Sequence, residues 1–202
     1  MPDKFLELAV TDSVRAAQQH YYDAPPPRND GPLFNEALTP DEIAFMQSRD
    51  SFYLATISET GWPYIQHRGG PAGFLHALSP KQLAFADLKG NRQLLSTGNL
   101  TANDRVCLFL MDYPLRSRLK ILGRARVLDA REQPELVRQL ATPETQRNVE
   151  RIFQIDVVSF NWNCPQNITP RFTTEQIVEA VEPLKQRIAE LEAQLKAKNE
   201  SP

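Results

Sequence analysis

The sequence has few of the residues that form covalent or metal crosslinks. Of its 202 residues only two are cysteines, Cys107 and Cys164, and only three are histidines. Two cysteines are too few for a disulfide framework, and the apolar stretch RVCLFLM around Cys107 is typical of a buried strand. Because the cysteines and histidines show no paired spacing, the sequence gives no reason to expect a structural zinc site.

The sequence also lacks long apolar runs and a marked excess of either charge. No run approaches the roughly 18 apolar residues that a membrane span needs. The start, MPDKFLELAV, has neither the apolar core nor the cleavage site of a signal peptide, so we expect a cytoplasmic protein. The formal net charge is −2 and the pI about 6.0. This balance does not point to a nucleic acid or a membrane as a partner.

Proline and a helix-start motif divide the first part of the chain. We expect residues 1–37 to form an N-terminal helix and a proline-rich linker, the latter centred on YYDAPPPRNDGP at 21–32. In LTPDEIAFMQ, Thr39 is the expected N-cap residue and Pro40 the first helical position. Glu42 completes a capping box. A helix is therefore predicted to open the main domain, which we assign to 38–173.

Period-two patterns rich in β-formers follow that helix. They predict mainly β structure of the α+β type, with six or so antiparallel strands in a small barrel. An interior glycine, Gly123, indicates a bulge or a barrel corner. Helices are expected at 91–100, 133–141 and 145–152. The strand-like stretches are 51–58, 63–68 with its continuation 73–78 after the break at GGP, 83–87, 104–112, 117–129 and 153–162.

The last segment, 174–202, has a different character. After Pro183 the sequence LKQRIAELEAQLKAKNE places Leu184, Ile188, Leu191 and Leu195 three or four residues apart, with charges between them. This spacing predicts an amphipathic helix related to those of coiled coils. Two roles remain open at this point: the helix covers a groove, or it pairs with another chain.

The stretch FADLKGNRQ, at 85–93, has the features of an anion site. Asn91 is a good N-cap residue for the predicted helix, whose first N–H groups are unpaired and carry partial positive charge. Lys89 and Arg92 flank that end, and Gly90 allows close approach to the backbone. The alternative is a capped helix with two solvated cations, and the local sequence favours neither.

Two further groups carry candidate binding residues. On the strand PYIQHR, Gln66 and Arg68 share one face and His67 takes the other. Arg68 would contact a ligand or pair with a nearby carboxylate, whereas His67 and His76 are more commonly ordinary surface or core residues. Near the end of the barrel, FNWNCPQNITPRF offers Trp162 and Arg171. Trp162 could stack on a flat ring, although a core role is commoner for tryptophan.

Four blocks in this order resemble the FMN-binding proteins of the pyridoxamine 5'-phosphate oxidase-like superfamily. The blocks are WPYIQHRGGPAGF, FADLKGNRQLLSTGNLTANDRVCLFLMD, RLKILGRARV and FNWNCPQNITPRF. The resemblance covers roughly 38–173 and implies a six-stranded split β-barrel that dimerises with FMN between its subunits. Because NCPQNITPRF differs from the oxidase's own ending, the chain is more similar to the flavin-nucleotide-binding branch.

The resemblance also implies roles for individual residues. Arg118, five residues before Gly123, corresponds to a position that contacts the flavin from the other subunit. The implied cofactor-binding residues are Gln66, His67, Arg68, Asp87, Lys89, Asn91, Arg92, Arg118, Trp162 and Arg171. The implied activity is that of an FMN-dependent oxidoreductase acting on an unknown small molecule.

Two alternatives to that activity remain. One is a non-catalytic module that holds FMN or haem for storage or sensing, with His67 or His76 as a possible axial ligand. The other is a structural dimer whose groove the C-terminal helix fills.

Overall fold

The structure, a computed structural model, describes residues 3–23, 36–162 and 165–199. The predicted linker from residue 24 onward and Cys164 lie outside the described residues. The chain forms two compact units, one made of residues up to 165 except 113–116 and the other of 113–116 with 166–202. No helix among the described residues is long and apolar enough to cross a membrane.

Three helices precede the sheet. They are α1 Lys4–Ala9, α2 Asp12–Tyr22 and α3 Pro40–Gln47. The predicted capping box at the start of α3 is confirmed, since Thr39 N donates to Glu42 Oε2 at 2.8 Å while the Thr39 side chain caps the first turn. These two bonds satisfy N–H groups that a helix start otherwise leaves free, so this short helix has a fixed beginning.

The first unit is built on one antiparallel sheet, ordered β2-β1-β5-β6-β7-β4-β3. Its described strands number seven rather than the predicted six, because residues 70–75 separate two strands that lie at opposite ends of the order. Among the described residues no backbone ladder joins these two ends, so the sheet is not closed. The strands are β1 Ser51–Ile57, β2 Pro63–Gly69, β3 His76–Ser79, β4 Gln82–Leu88, β5 Arg105–Asp112, β6 Ser117–Asp129 and β7 Val149–Trp162.

The bulge predicted at Gly123 is confirmed. The pairing of β6 with β7 shifts by one residue between Leu122 and Gly123. A Cβ at position 123 would lie 2.6 Å from Ile155 Cγ2 and 3.0 Å from the Asp156 carbonyl oxygen. Glycine is therefore required here by the close approach of β7, and the extra residue in β7 bends the strand pair.

The curved sheet encloses an aromatic core. The Phe85 ring stacks on Phe153 at a centroid distance of 4.9 Å and meets the edge of Phe52 at 5.3 Å. Because Phe52 lies on β1 and Phe85 on β4, this contact joins strands that are four places apart in the order. All three side chains are at most 2% exposed.

One predicted helix is in part a strand. Residues 149–152, predicted as helix, begin β7 instead, because the buried Ile152 pairs with both Ala86 and Leu128. The helix of the second unit begins at Thr174 and contains Pro183. The remaining elements are α4 Leu95–Ala102, a 3-10 turn Ala130–Glu132, α5 Pro134–Leu140, α6 Pro143–Gln146 and α7 Thr174–Asn199.

Candidate functional site

We call the gap between β2 and β4 the seam. An ion cluster bridges it. Arg68 Nη1, from β2, donates to Asp87 Oδ1 at 2.5 Å, and Arg151 Nε, from β7, donates to Asp87 Oδ2 at 2.8 Å. The side chains of Arg68 and Asp87 are 13% and 10% exposed. The cluster therefore ties together two strands that no described backbone bond connects, using charges largely removed from water.

Arg68 is held in place by more than its carboxylate partner. Its Cζ lies 4.9 Å from the centroid of the Phe153 ring and 5.6 Å from that of Phe85, so the guanidinium rests on aromatic faces. Within the described part of the chain, its Nε is buried and has no hydrogen-bond partner. Arg68 thus pairs with a carboxylate, as one interpretation of the sequence proposed, and keeps one donor for another acceptor.

The loop before α4 differs from the prediction. The helix begins at Leu95, not at 91, and Asn91 does not cap it; Asn91 Oδ1 accepts from Gln93 N at 3.1 Å. Arg92 and Leu94 adopt φ angles of 62° and 55°. Positive φ is unusual in residues other than glycine, and such turns present backbone N–H groups to one side. The first turn of α4 has no side-chain cap among the described residues.

These elements enclose a cavity of about 190 Å³. Ser96 Oγ donates to Gln66 Oε1 at 3.0 Å, which fixes the start of α4 against β2. Three guanidinium groups and one carboxylate line the space, so its lining has a positive balance. The polar lining consists of Tyr64, Gln66, Arg68, Asp87, Asn91, Arg92, Gln93, Ser96, Thr97 and Arg151.

A second cavity of about 500 Å³ adjoins the same ion pair. Arg68 and Asp87 line it together with the glycine-rich segment 69–73, His76 and Thr142. Burial lowers the pKa of His76 below its ordinary value. The ion pair at the seam therefore contributes to both spaces.

Two of the predicted binding residues lie apart from the smaller cavity. His67 is exposed on the opposite face of β2, where its ring meets Tyr53 at 5.6 Å. Lys89 is exposed and, within the described residues, does not line the cavity. The structure thus brings Gln66, Arg68 and Asp87 together with Asn91 and Arg92, whereas His67 and Lys89 lie outside the group.

Trp162 is held by α3. Its Nε1 donates to Glu42 Oε1 at 2.6 Å, and its ring meets the Phe45 ring edge-on at 4.7 Å. Burial raises the pKa of the Glu42 carboxyl, but the hydrogen bonds from Thr39 and Trp162 outweigh it and leave that pKa below its ordinary value. The indole is 40% exposed, so one part of it remains accessible.

The last two predicted residues have separate surroundings. Arg118, on β6, is half-buried, and its Nε lacks a partner among the described residues. Arg171 belongs to the second unit, where its Cζ lies 4.9 Å from the centroid of the Tyr113 ring.

Sequence reasoning missed Arg151 and Ser96. Arg151 falls in TQRNVERI, which helical spacing assigned to a helix, so its alignment opposite Asp87 in β7 was not visible. Ser96 was an ordinary helix residue in the sequence. A strand assignment for 149–152 would have been the signal for Arg151, because Asp87 and Arg151 then face each other in neighbouring strands.

Comparisons with known proteins add three findings. Residues 38–157 match the family described as pyridoxamine 5'-phosphate oxidase. Similar solved structures include a Clostridium acetobutylicum protein related to general stress protein 26 (17% identity, 68% of this chain and 94% of that chain, TM-score 0.48). HupZ of Group A Streptococcus is also similar (11% identity, 67% of this chain and 100% of that chain, TM-score 0.48). So is an F420 reductase (18% identity, 58% of this chain and 94% of that chain, TM-score 0.41). A search of curated proteins found no match.

Proposed function

The chain belongs to the pyridoxamine 5'-phosphate oxidase family, and from this premise we propose that it binds FMN and acts as a flavin-dependent oxidoreductase. The observation that carries the proposal is the small basic cavity between the seam and the start of α4. It has the chemistry that a phosphate group requires.

The lining of the cavity fits a phosphomonoester. Such a group carries about −1.5 to −2 charges at pH 7. Three guanidinium groups, Arg68, Arg92 and Arg151, and the Asp87 carboxylate give a balance of +3 − 1 = +2. The first turn of α4, which has no side-chain cap among the described residues, adds partial positive charge. The Nε of Arg68 has no partner within the described part of the chain, so it is a donor that an oxygen ligand would satisfy.

The size of the cavity limits what it holds. About 190 Å³ is less than the roughly 300–1,000 Å³ of pockets that enclose a whole small-molecule ligand. We therefore assign the phosphate end of FMN to this cavity and the ring system to a surface outside it. The ring would then need a second wall.

An apolar face of the sheet offers that wall if two copies associate. Tyr53 and Ile65 are 40% and 64% exposed, and they share the face with the half-buried Phe109 on β5. Arg118 lies on the same outer face of β6, opposite Met111. We propose that a second copy covers this face, giving a homodimer with FMN between its subunits and Arg118 reaching the flavin from the partner.

In this arrangement the chain supplies position and charge. A bound flavin would supply the hydride or electron transfer, and Arg68, Arg92 and Arg151 would hold its phosphate. Gln66 is oriented by Ser96 at the edge of the cavity. Such a transfer needs no acid–base pair on the protein, so the site requires no further catalytic dyad.

A titration with FMN and with riboflavin tests the binding proposal, because riboflavin lacks the phosphate. We expect FMN to bind at least about tenfold more tightly, since charge-assisted contacts contribute a few kcal/mol. Arg151→Ala should reduce that preference. Arg138→Ala, which removes an arginine that is 55% exposed on α5, should leave it unchanged. Equal affinity of the native protein for both flavins would reject the phosphate cavity.

Anaerobic addition of NADH or NADPH to the FMN complex tests the oxidoreductase proposal. Bleaching of the flavin absorption bands would support electron transfer through the site. Dithionite serves as the control that the bound flavin can be reduced. Bands that bleach with dithionite but with neither nicotinamide would contradict turnover with these donors and leave a binding role.

A further inference from the structure

Helix α7 carries an apolar stripe with a regular heptad spacing. Its members are separated by 4, 3, 4, 3 and 4 residues, the pattern of alternating a and d positions in a coiled coil. Five of the six side chains are between 42% and 63% exposed, and Val181 is half-buried. The stripe consists of Ile177, Val181, Leu184, Ile188, Leu191 and Leu195.

The residue types in the stripe specify a partner. The a positions are Val181, Ile188 and Leu195, and the d positions are Ile177, Leu184 and Leu191. β-Branched residues at a with leucine at d favour two parallel helices. The four inner positions of the stripe follow this rule, whereas Ile177 and Leu195 at its two ends do not. We infer that α7 is an interaction surface for α7 of a second copy, with which it forms a short parallel, in-register coiled coil.

The charges beside the stripe fit the same arrangement. Arg187 occupies a g position and Glu192 the following e position, so each would face its opposite charge on the partner helix. In the single chain, Arg187 Nη1 contacts Glu190 Oε2 at 2.8 Å in a pair that is more than half exposed. Exposed ion pairs contribute little to stability, so Arg187 can leave Glu190 and pair with Glu192 of the second helix.

The opposite orientation is disfavoured by the same residues. The other g–e pair of a parallel dimer within the stripe, Ala180 with Lys185, places no like charges together. An antiparallel alignment of the same apolar layers would set Arg187 opposite its own copy. Like charges facing each other at this distance are destabilising.

The length of the stripe indicates how the pairing is used. Three heptads are marginal for association alone, and Pro183 removes one hydrogen bond within the helix. Pro183 occupies a c position, away from the stripe, so it does not interrupt the apolar contact. The pairing would therefore add to an existing association of two chains, where tethering raises the effective concentration. It does not depend on the identity of the cofactor.

Cysteine crosslinking in the full chain tests the parallel register. Leu195→Cys places two thiols against each other only if the helices are parallel and in register. Ala193→Cys, on the outer face of the same turn, is the matched control. Under mild oxidation we expect disulfide-linked dimer from the first variant at least about tenfold faster than from the second. Equal rates would overturn the inference, and the native chain gives the background from Cys107 and Cys164.

A charge exchange tests the assigned contact. Arg187→Glu and Glu192→Arg should each slow the crosslinking of Leu195→Cys, and the combined exchange should restore it. Glu190→Arg removes the contact within one helix and should have no such effect. A double variant as slow as the singles would contradict the pairing. FMN titration of each variant, at protein concentrations where the proposed sheet interface keeps the two chains together, keeps the outcomes separate. Loss of the α7 pairing alone should then leave flavin affinity unchanged.

Discussion

Arg68 Nη1 and Asp87 Oδ1 lie 2.5 Å apart across the seam between β2 and β4. Among the described contacts, this ion pair and the aromatic core connect the two sides where backbone bonds do not. The same carboxylate holds Arg151, so one acidic residue positions two guanidinium groups beside the basic cavity. The Asp87 side chain therefore both stabilises the seam and positions two of the arginines that line the basic cavity.

Asp87→Asn should be strongly destabilising. It leaves the largely buried Arg68 without a compensating charge, for which losses of about 3–5 kcal/mol are typical. Arg151 loses one of two carboxylate partners and keeps Glu150, whose Oε2 lies 3.0 Å from its Nη2. The matched control is Asp104→Asn, because the Asp104–Arg124 pair at 2.8 Å is about half exposed and should contribute less than about 1 kcal/mol. Urea unfolding followed by circular dichroism measures both. Similar small losses would contradict the structural role of the seam.

Arg92→Ala should weaken FMN binding more than Lys89→Ala. Arg92 lines the basic cavity, whereas Lys89 is exposed outside it. We expect a loss of about tenfold for Arg92→Ala and a few-fold at most for Lys89→Ala, since a distant surface charge is screened by salt. Fluorescence titration at two salt concentrations provides the measurement. A greater effect of Lys89→Ala would move the phosphate away from the cavity.

Glu42→Ala should both destabilise the protein and change the environment of Trp162. The carboxylate completes the capping box and accepts from the indole, and losing both should cost about 2–3 kcal/mol. Glu42→Gln should lose less, because its amide oxygen still accepts. Tryptophan fluorescence during urea unfolding reports the change, with Trp62→Phe as background because Trp62 is 76% exposed.

The same carboxylate gives a pH dependence with a definite sign. Since the folded pKa of Glu42 lies below its ordinary value of 4.5, its contribution is complete above that pH. The contribution is lost as the pH falls through the folded pKa. Glu42→Gln should therefore flatten the stability profile below about pH 4.5. An unchanged acid slope would show that other carboxylates account for it.

His76 should make stability fall on mild acidification. Burial lowers its folded pKa below the ordinary 6.5, so the unfolded chain binds a proton more readily. The contribution of neutral His76 to the free energy of unfolding is then complete above pH 6.5, and it decreases as the pH falls toward the folded pKa. His76→Gln should reduce this slope. Thermal unfolding of the native protein and of the variant between pH 5 and 8 provides the measurement, and an unchanged slope would contradict the role of His76.

Local patterns predicted the elements that local forces determine. The capping box at Thr39 and the bulge at Gly123 were visible because one helix start and one close strand contact specify them. The alternation that separates Gln66 and Arg68 from His67 is likewise the ordinary two-residue period of a strand.

Other features depend on contacts between distant segments. Arg151 is a cavity residue only because β7 lies beside β4, and its charged neighbours made 149–152 read as a helix. Asn91 failed as a cap because positive φ angles at Arg92 and Leu94 carry the chain further before α4 begins. Single-sequence propensities do not predict such angles in arginine or leucine.

The bulge opposite Gly123 makes the contact of Arg68 across the seam depend on the number of residues in β7. Inward residues of β7 on either side of the bulge, Ile155 and Phe160, keep the same face only because one additional residue is absorbed there. Deleting Val158 would leave every inward residue facing inward, yet the strand would straighten. A straighter sheet would move β2 away from β4 and so weaken the contact between Arg68 and Asp87. The distance between β2 and β4 at the site thus depends in part on the number of residues in β7, and not only on their identity.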